Sequence, residues 1–233
     1  MTRVTDEPLL PPAGGPRRDW GRLVEATRVT ALIHADQVRK DTTIPYLSHL
    51  LGACSIALDY GANEDEAIAA LLHDAIEDGE PMDAANQAVS RFSDEVRRIV
   101  DGCTDAVTRP TAPWFERKQM YLARLATEDR AILLVSASDK LHNARSIVRD
   151  LRVHGDALWS RFSAPRECTL WYYRSLVTVY RANPNHTADL IDELDRTVAD
   201  IESLAGLDGN HARRAEIASG AACREWATAQ TVP

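Results

Sequence analysis

The fold of this chain is decided by residues 67–78, which read Ala-Ile-Ala-Ala-Leu-Leu-His-Asp-Ala-Ile-Glu-Asp. Asn63 and Glu66, just before this stretch, form a pair typical of a capping box at a helix N-terminus. Apolar residues then fall on nearly every side of the helix, a pattern that indicates a buried position rather than a surface one. We therefore predict a central helix over residues 67–76, which ends near Gly79.

Helical spacing of apolar residues continues through the rest of the chain. One helix is predicted from an N-cap at Asp19 up to Val38, and a second over residues 46–60. Further helices are predicted at about residues 83–92, 94–101, 114–127, 130–149, 165–182, 186–205 and 211–227. The apolar run 132–135 is the one stretch that would also suit a short strand. The sequence predicts an all-α fold, a helical bundle with additional C-terminal helices.

Composition divides the chain into three segments. Residues 1–18 are rich in proline and glycine, so we predict a disordered tail. Residues 19–182 are predicted to form the main helical domain. Residues 183–233 are predicted to form a C-terminal helical extension, with Pro184 at its edge.

The charge balance limits the classes of partner. The chain has 233 residues, with 27 Lys and Arg against 35 Asp and Glu, and a formal charge of −8. Nucleic-acid-binding proteins normally carry a basic face, so no nucleic-acid partner is expected, and an anionic substrate must be attracted by a local feature. No apolar run reaches the roughly 18 to 20 residues that span a bilayer, and the first residues lack a signal peptide. We therefore expect a cytoplasmic protein with no membrane partner.

Four cysteines are spread singly along the chain, at positions 54, 103, 168 and 223. They form no Cys-x-x-Cys pair, so neither a zinc ribbon nor a redox motif is indicated. We expect them to be reduced thiols, most of them buried.

Four ionisable residues end the central helix: His73, Asp74, Glu77 and Asp78. In a continuous helix His73 and Glu77 share one face, and Asp74 and Asp78 share the adjoining face. Unpaired charges at the edge of a core cost several kcal/mol, and a divalent cation would be a suitable partner for them. The alternatives are a core histidine beside a capping aspartate, and a solvated helix end.

Two other blocks carry the same types of side chain. Asp139 follows the apolar run 132–135 and shares one helix face with Asn143 and Ser146. His49 lies in the first turn of the second helix. Two further histidines compete with His49 as a third ligand, namely His34 in the preceding helix and His142 near Asp139.

These blocks resemble the H…HD…D signature of HD-domain metal-dependent phosphohydrolases. More specifically, the chain resembles the hydrolase domain of RelA/SpoT proteins and the stand-alone small alarmone hydrolases over about residues 20 to 150. The matching blocks are Arg39-Lys40, Pro45-Tyr46-Leu47-Ser48-His49, residues 71–78 and Asp139-Lys140-Leu141-His142-Asn143. By this resemblance, residues 19–182 are an HD-type hydrolase domain.

The resemblance implies a set of metal ligands, usually for manganese: His49, His73, Asp74 and Asp139. Imidazole and carboxylate together suit a first-row divalent ion, which lowers the pKa of bound water and screens phosphate oxygens. The resemblance also implies that Glu77 and Asp78 are the catalytic acidic pair that activates water.

The resemblance implies three substrate-binding residues as well. Arg39 and Lys40 correspond to a basic block at the phosphate end of the substrate, and Asn143 to a residue beside the nucleoside. The expected reaction is removal of the 3′-pyrophosphate from the alarmone (p)ppGpp, a nucleotide.

Two alternatives to this reaction follow from the sequence. The chain departs from the family pattern at Leu50, where proline is common, and at Asp105, where lysine is common. These departures allow an HD phosphohydrolase for another nucleotide or small phosphorylated metabolite. A non-catalytic HD module that binds a ligand is the second alternative, and an oligomer is compatible with either.

Overall fold

The computed structural model describes residues 20–79, 82–104 and 112–230, without the side chain of Asp78. The predictions for the tail 1–18 and for Asp19, and the departure at Asp105, lie outside the described residues. Within these ranges every regular element is a helix, which confirms the all-α prediction. The helices are α1 (Gly21–Ile33), α2 (Leu47–Asp59), α3 (Glu64–Leu72), α4 (Ala75–Asp78), α5 (Met82–Ser90), α6 (Asp94–Cys103), α7 (Trp114–Leu125), α8 (Arg130–His154), a 3-10 turn (Gly155–Arg161), α9 (Arg166–Ala182), α10 (Ala188–Leu204), α11 (His211–Ser219) and α12 (Ala221–Gln230).

Two buried helices form the centre of the bundle. Every residue of α3 from Glu66 to Leu72 is buried, as predicted for a central helix. In α8, residues 132–139 are buried without interruption, and α2, α3, α6, α9 and α10 pack around that helix. The predicted capping box is present, and the buried Glu66 carboxylate also pairs with Arg130 on α8 at 2.8 Å.

The central helix is not continuous, contrary to the prediction. It ends at Leu72, and the short α4 begins at Ala75. His73 Nδ1 lies 2.9 Å from the carbonyl oxygen of Ala70, the group that the Asp74 N–H would use in an unbroken helix. Because a side chain takes this carbonyl, the helix turns at His73–Asp74, and the four ionisable residues do not lie on two regular faces.

The first helix is shorter than predicted, because α1 ends at Ile33 and not near Val38. The backbone of residues 37–46 instead pairs with itself across a tight loop. The Tyr46 N–H donates to the carbonyl of Gln37 at 2.9 Å, and the Arg39 N–H donates to the carbonyl of Ile44 at 2.8 Å. This loop carries the Arg39–Lys40 block towards the start of α2.

The C-terminal helices share the core of the bundle. Side chains of α10, such as Leu190 and Ile191, belong to the same buried cluster as those of α3 and α8. The predicted helix over 211–227 is divided at Gly220, whose φ of +69° is a left-handed conformation that favours glycine. The boundary near residue 182 stays a prediction.

The cysteine prediction is wrong for one pair. Cys168 on α9 and Cys223 on α12 form a disulfide, with their Cα atoms 5.0 Å apart. Their sequence separation of 55 residues hid this contact, since only the packing of α12 on α9 brings the two together. Cys54 and Cys103 are free, and Cys54 is buried.

No helix in the part of the chain that the structure describes is both long enough and apolar enough to cross a membrane.

Candidate metal centre and adjoining cavity

Four side chains from three places in the chain converge at one point between α2 and α8. One ligand atom each of His49, His73 and Asp74 lies within 4.8 Å of the others. Asp139 Oδ1 lies 3.3 Å from His49 Nε2 and 3.6 Å from His73 Nε2. Asp74 Oδ2 lies 3.0 Å from His73 Nε2 and 3.5 Å from His49 Nε2. The structure thus brings together all four residues of the implied ligand set.

The orientation of His73 leaves one ring nitrogen for a metal. Its Nδ1 must carry a proton, because the Ala70 carbonyl can only accept a hydrogen bond. Its Nε2 is buried and has no hydrogen-bond partner in the described structure, although two carboxylates lie nearby. A buried nitrogen of this kind fits a metal ligand better than a core histidine.

The orientation of His49 depends on another histidine. His49 Nδ1 lies 2.9 Å from His142 Nδ1, so one of these nitrogens donates and the other accepts. Burial, assisted by the nearby Arg39 guanidinium, lowers the pKa of His142 to about 4, so His142 is neutral and suited to accept. The other competing histidine, His34, donates a hydrogen bond from its Nδ1 to the side-chain amide oxygen of Gln37 at 2.6 Å.

Both carboxylates are held by neighbouring donors. The Tyr46 hydroxyl donates to Asp74 Oδ2 at 2.6 Å. Lys140 Nζ donates to Asp139 Oδ2 and the Asn143 amide donates to Asp139 Oδ1, both at 2.6 Å. Burial raises the pKa of Asp139, but Lys140 and His73 outweigh it and hold the pKa well below the usual range. For Asp74, His73 and His49 likewise outweigh burial, so both groups are ionised.

These donors are chemically suited to a first-row divalent ion. Two imidazole nitrogens and two carboxylate oxygens would hold it, and each of the four side chains is oriented by a hydrogen bond to a neighbouring group, as metal ligands usually are. A bound divalent ion would also compensate the negative charge of the two buried carboxylates.

Metal binding is expected to strengthen as the pH rises. Burial alone lowers the pKa of His73, but the charges of Asp74 and Asp139 outweigh it and raise the pKa well above 6.5. The metal-free site therefore holds a proton at neutral pH that a metal must displace. We expect the affinity for Mn²⁺ to rise about tenfold per pH unit below that pKa. Calorimetric titration between pH 6 and 8 measures this slope, and an affinity independent of pH would contradict the ligand role of His73.

A cavity of about 320 Å³ opens beside this group. Its described lining contains six basic residues and one acidic residue, Asp150. The basic residues are Arg39, Lys40, Lys118, Lys140, Arg149 and Arg161. Asp150 holds Arg149 at 2.9 Å and lies 3.6 Å from Arg161, so it also orients two of these cations. The cavity is therefore a local positive site on a chain whose total charge is negative.

A chain of hydrogen bonds joins the cavity to the four side chains of the implied ligand set. We call these four side chains the ligand group: His49, His73, Asp74 and Asp139. Arg39 Nη2 donates to the Asn143 side-chain oxygen at 2.8 Å, and Asn143 donates in turn to Asp139. Lys140 makes a second link, since it lines the cavity and contacts the same carboxylate. All three predicted substrate-binding residues, Arg39, Lys40 and Asn143, line the cavity.

Of the predicted catalytic pair, only Glu77 has a described side chain, and it does not line the described part of the cavity. Glu77 is on α4, directly after the turn that carries Asp74, and its side chain is exposed. It is not among the described residues that line the cavity or form the ligand group. The side chain of Asp78 lies outside the described structure, so the role of both residues stays a prediction.

Sequence reasoning missed several residues of the cavity. Lys118, Arg149 and Arg161 come from α7, α8 and the 3-10 turn, and no local motif marks them. Tyr172 and Tyr173 are buried, yet both also line the cavity. Lys140 had a detectable signal, because it directly follows Asp139 in the matching block.

The fold and the site together define an all-helical domain with a His/Asp ligand group beside a basic cavity. This is the class that includes metal-dependent phosphohydrolases. The profile of the HD domain family matches residues 26–169, more than half of the chain. The chain belongs to the HD domain family.

Relatives of known name match more than half of the chain. The chain is 31% identical over 154 residues to a probable GTP pyrophosphokinase of Mycobacterium leprae, covering 62% of this chain and 19% of that protein. It is 34% identical over 134 residues to the guanosine-3′,5′-bis(diphosphate) 3′-pyrophosphohydrolase MESH1 of Xenopus tropicalis, covering 56% of this chain and 72% of that protein. The chain thus corresponds to less than a fifth of the mycobacterial relative.

A solved structure matches most of the chain. It is described as a metazoan ortholog of SpoT that hydrolyzes ppGpp and plays a role in starvation responses. The TM-score is 0.62 at 25% identity, and the match covers 80% of this chain and 97% of that one. The likeness therefore extends beyond the ligand group to the arrangement of the helices.

Proposed function

We propose that this chain is a metal-dependent nucleotide pyrophosphohydrolase that removes the 3′-pyrophosphate from (p)ppGpp. The observation that carries the proposal is the bonded connection from the His/Asp ligand group to the basic cavity, through Asp139, Asn143 and Arg39. This connection supports a metal site that lies directly beside a cavity whose cations would bind several phosphates. The names of the relatives support the choice of substrate.

The residues of the chain have distinct roles in this reaction. A divalent ion held by His49, His73, Asp74 and Asp139, which we propose to be Mn²⁺, would acidify a water and screen phosphate charge. Water adds to the phosphorus attached to the ribose 3′-oxygen, and the bond between that phosphorus and the 3′-oxygen breaks. The 3′-oxygen takes up a proton and becomes the free 3′-hydroxyl. Pyrophosphate leaves, and GDP or GTP remains. Glu77 and Asp78 are proposed to take the proton from the water.

The cavity residues bind and orient the substrate. Arg39 and Lys40 would neutralise the 3′-phosphates, and the loop that carries them is fixed by its own backbone hydrogen bonds. Tyr172 and Tyr173, with Trp114 on α7, offer aromatic surface for the base. We propose a cytoplasmic location because nucleotide substrates are made there, and there the Cys168–Cys223 pair would face a reducing environment.

A panel of substrates separates this activity from that of an HD phosphohydrolase with another substrate. Purified protein with Mn²⁺ is assayed against ppGpp, pppGpp, GTP, dGTP, cyclic dinucleotides and nucleoside monophosphates. We expect the two 3′-pyrophosphorylated nucleotides to give the highest kcat/KM. A higher value for any of the others would favour the alternative substrate class.

Removing one cavity cation should weaken substrate binding without affecting the metal. Arg161 is half-buried in the cavity wall beside Asp150. A hydrogen bond to a charged group contributes about 1.5–3 kcal/mol, so Arg161→Gln should raise KM roughly 10- to 100-fold. Arg152→Gln, an exposed cation on α8 that is not part of the described cavity lining, is the matched control. Equal KM values for the two variants would show that Arg161 does not contribute to substrate binding.

A further inference from the structure

His142 is held against the ligand group without belonging to it. It is half-buried on α8, and its ring centroid lies 4.9 Å from that of His49. Its Nδ1 points at His49 Nδ1, 2.9 Å away, and not at a carboxylate of the group.

The backbone of α2 is shaped to admit this ring. A Cβ atom at Gly52 would lie 2.2 Å from His142 Cδ2 and 2.4 Å from His142 Nε2. No side chain fits at these distances, so only glycine leaves room for the imidazole. Glycine inside a helix costs about 1 kcal/mol relative to alanine, and the close approach of His142 gives it a physical reason.

The direction of the hydrogen bond follows from the positions of the atoms. His49 Nε2 faces Asp74 and Asp139, at 3.5 and 3.3 Å, and must be free of a proton to bind a metal. The proton of a neutral His49 is then on Nδ1, which donates to His142 Nδ1. His142 therefore has to be present as an acceptor at this position. Metal-binding histidines generally need such a partner on the second ring nitrogen.

We propose that His142 is a positioning residue that fixes the tautomer and the ring plane of His49, and that Gly52 supplies the space it needs. The inference rests on the proposed metal site, and His142 would affect the proposed reaction only through metal binding. Loss of the acceptor would let His49 protonate Nε2, which faces the ligands, so the fraction of chains ready to bind metal would fall.

The test compares two substitutions of similar size. In His142→Asn the side-chain oxygen can take the place of Nδ1 and accept the same hydrogen bond, whereas His142→Leu offers no acceptor. Loss of a supporting partner typically weakens metal binding about 10- to 100-fold, which we expect for His142→Leu. For His142→Asn we expect a Kd for Mn²⁺ within about threefold of the unaltered chain, on the same reasoning. Calorimetry with Mn²⁺ measures both.

A second measurement reports the tautomer directly. Nitrogen-15 NMR of the metal-free protein should show a proton on His49 Nδ1 in the unaltered chain and in His142→Asn, and a mixture of tautomers in His142→Leu. Gly52→Ala should resemble His142→Leu, because the added methyl group displaces the ring. Equal Mn²⁺ affinity in all variants, or equal losses in His142→Asn and His142→Leu with one tautomer throughout, would overturn the proposal.

These readouts do not depend on turnover. If the pattern of Mn²⁺ affinities is found and no nucleotide is hydrolysed, the positioning role stands and the proposed reaction fails. If nucleotides are hydrolysed and the affinities do not differ, the reaction stands and the positioning role fails.

Discussion

Replacing His73 with alanine is expected to abolish both metal binding and hydrolysis. His73 Nε2 is the buried nitrogen that faces Asp74 and Asp139 without a hydrogen bond of its own. Its removal leaves one imidazole and two carboxylates, which is a weaker and less selective ligand set for a first-row ion. A metal supplies several kcal/mol of transition-state stabilisation, so kcat/KM should fall by at least about 1000-fold.

The control for this variant is His154→Ala, at the exposed end of α8. Metal content and kcat/KM are measured for both proteins, with thermal unfolding to verify that each is folded. His154→Ala should retain metal and activity. If His73→Ala retained stoichiometric metal and turned over nucleotide within tenfold of the unaltered chain, the ligand group would be assigned incorrectly.

The double variant Glu77→Gln, Asp78→Asn should have the second-largest effect. Both residues lie on α4, just after the proposed ligand Asp74, and Glu77 is exposed, where a base can exchange its proton with solvent. General base catalysis contributes typically 10²- to 10⁴-fold, so kcat should fall by about that factor. The affinity for Mn²⁺ should be unchanged, because neither residue is in the proposed ligand set.

Asp83→Asn, an exposed neutral substitution on α5, serves as the control for the loss of nearby negative charge. The acid limb of the kcat pH profile should disappear in the double variant and persist in the control. A double variant with normal kcat would show that another group accepts the proton.

The apolar patterns were sufficient to predict the helical fold, because the burial of a helix determines where its apolar residues occur. The run before His73 and the run 132–135 are apolar on every side, and both lie in the centre of the bundle. The turn at His73–Asp74 could not be predicted in this way, since it depends on the contact between the His73 ring and the Ala70 carbonyl. Hydrophobic periodicity carries no information about a single hydrogen bond.

The cavity was only partly predictable for a similar reason. Arg39, Lys40 and Asn143 belong to blocks that resemble a known family, and the structure brings them to one wall. Arg161 comes from the 3-10 turn and reaches the cavity through tertiary packing alone. The net charge of −8 likewise gave no indication of the local cluster of cations, because a sum over the chain hides its distribution.

The disulfide is a third contact that depends on packing. Cys168 and Cys223 are adjacent because α12 returns along α9, where Trp226 also stacks edge-on against Trp114 of the cavity wall. Single cysteines at wide spacing do not indicate which of them form a disulfide.

The most direct test of this account is the reaction of the purified chain with ppGpp and Mn²⁺, followed by identification of the products. We expect GDP and pyrophosphate in equal amounts, and no reaction when the metal is chelated or when the Asp74→Ala protein is used in place of the unaltered chain. Intact ppGpp after incubation, or breakdown at the same rate in the Asp74→Ala protein, would contradict it.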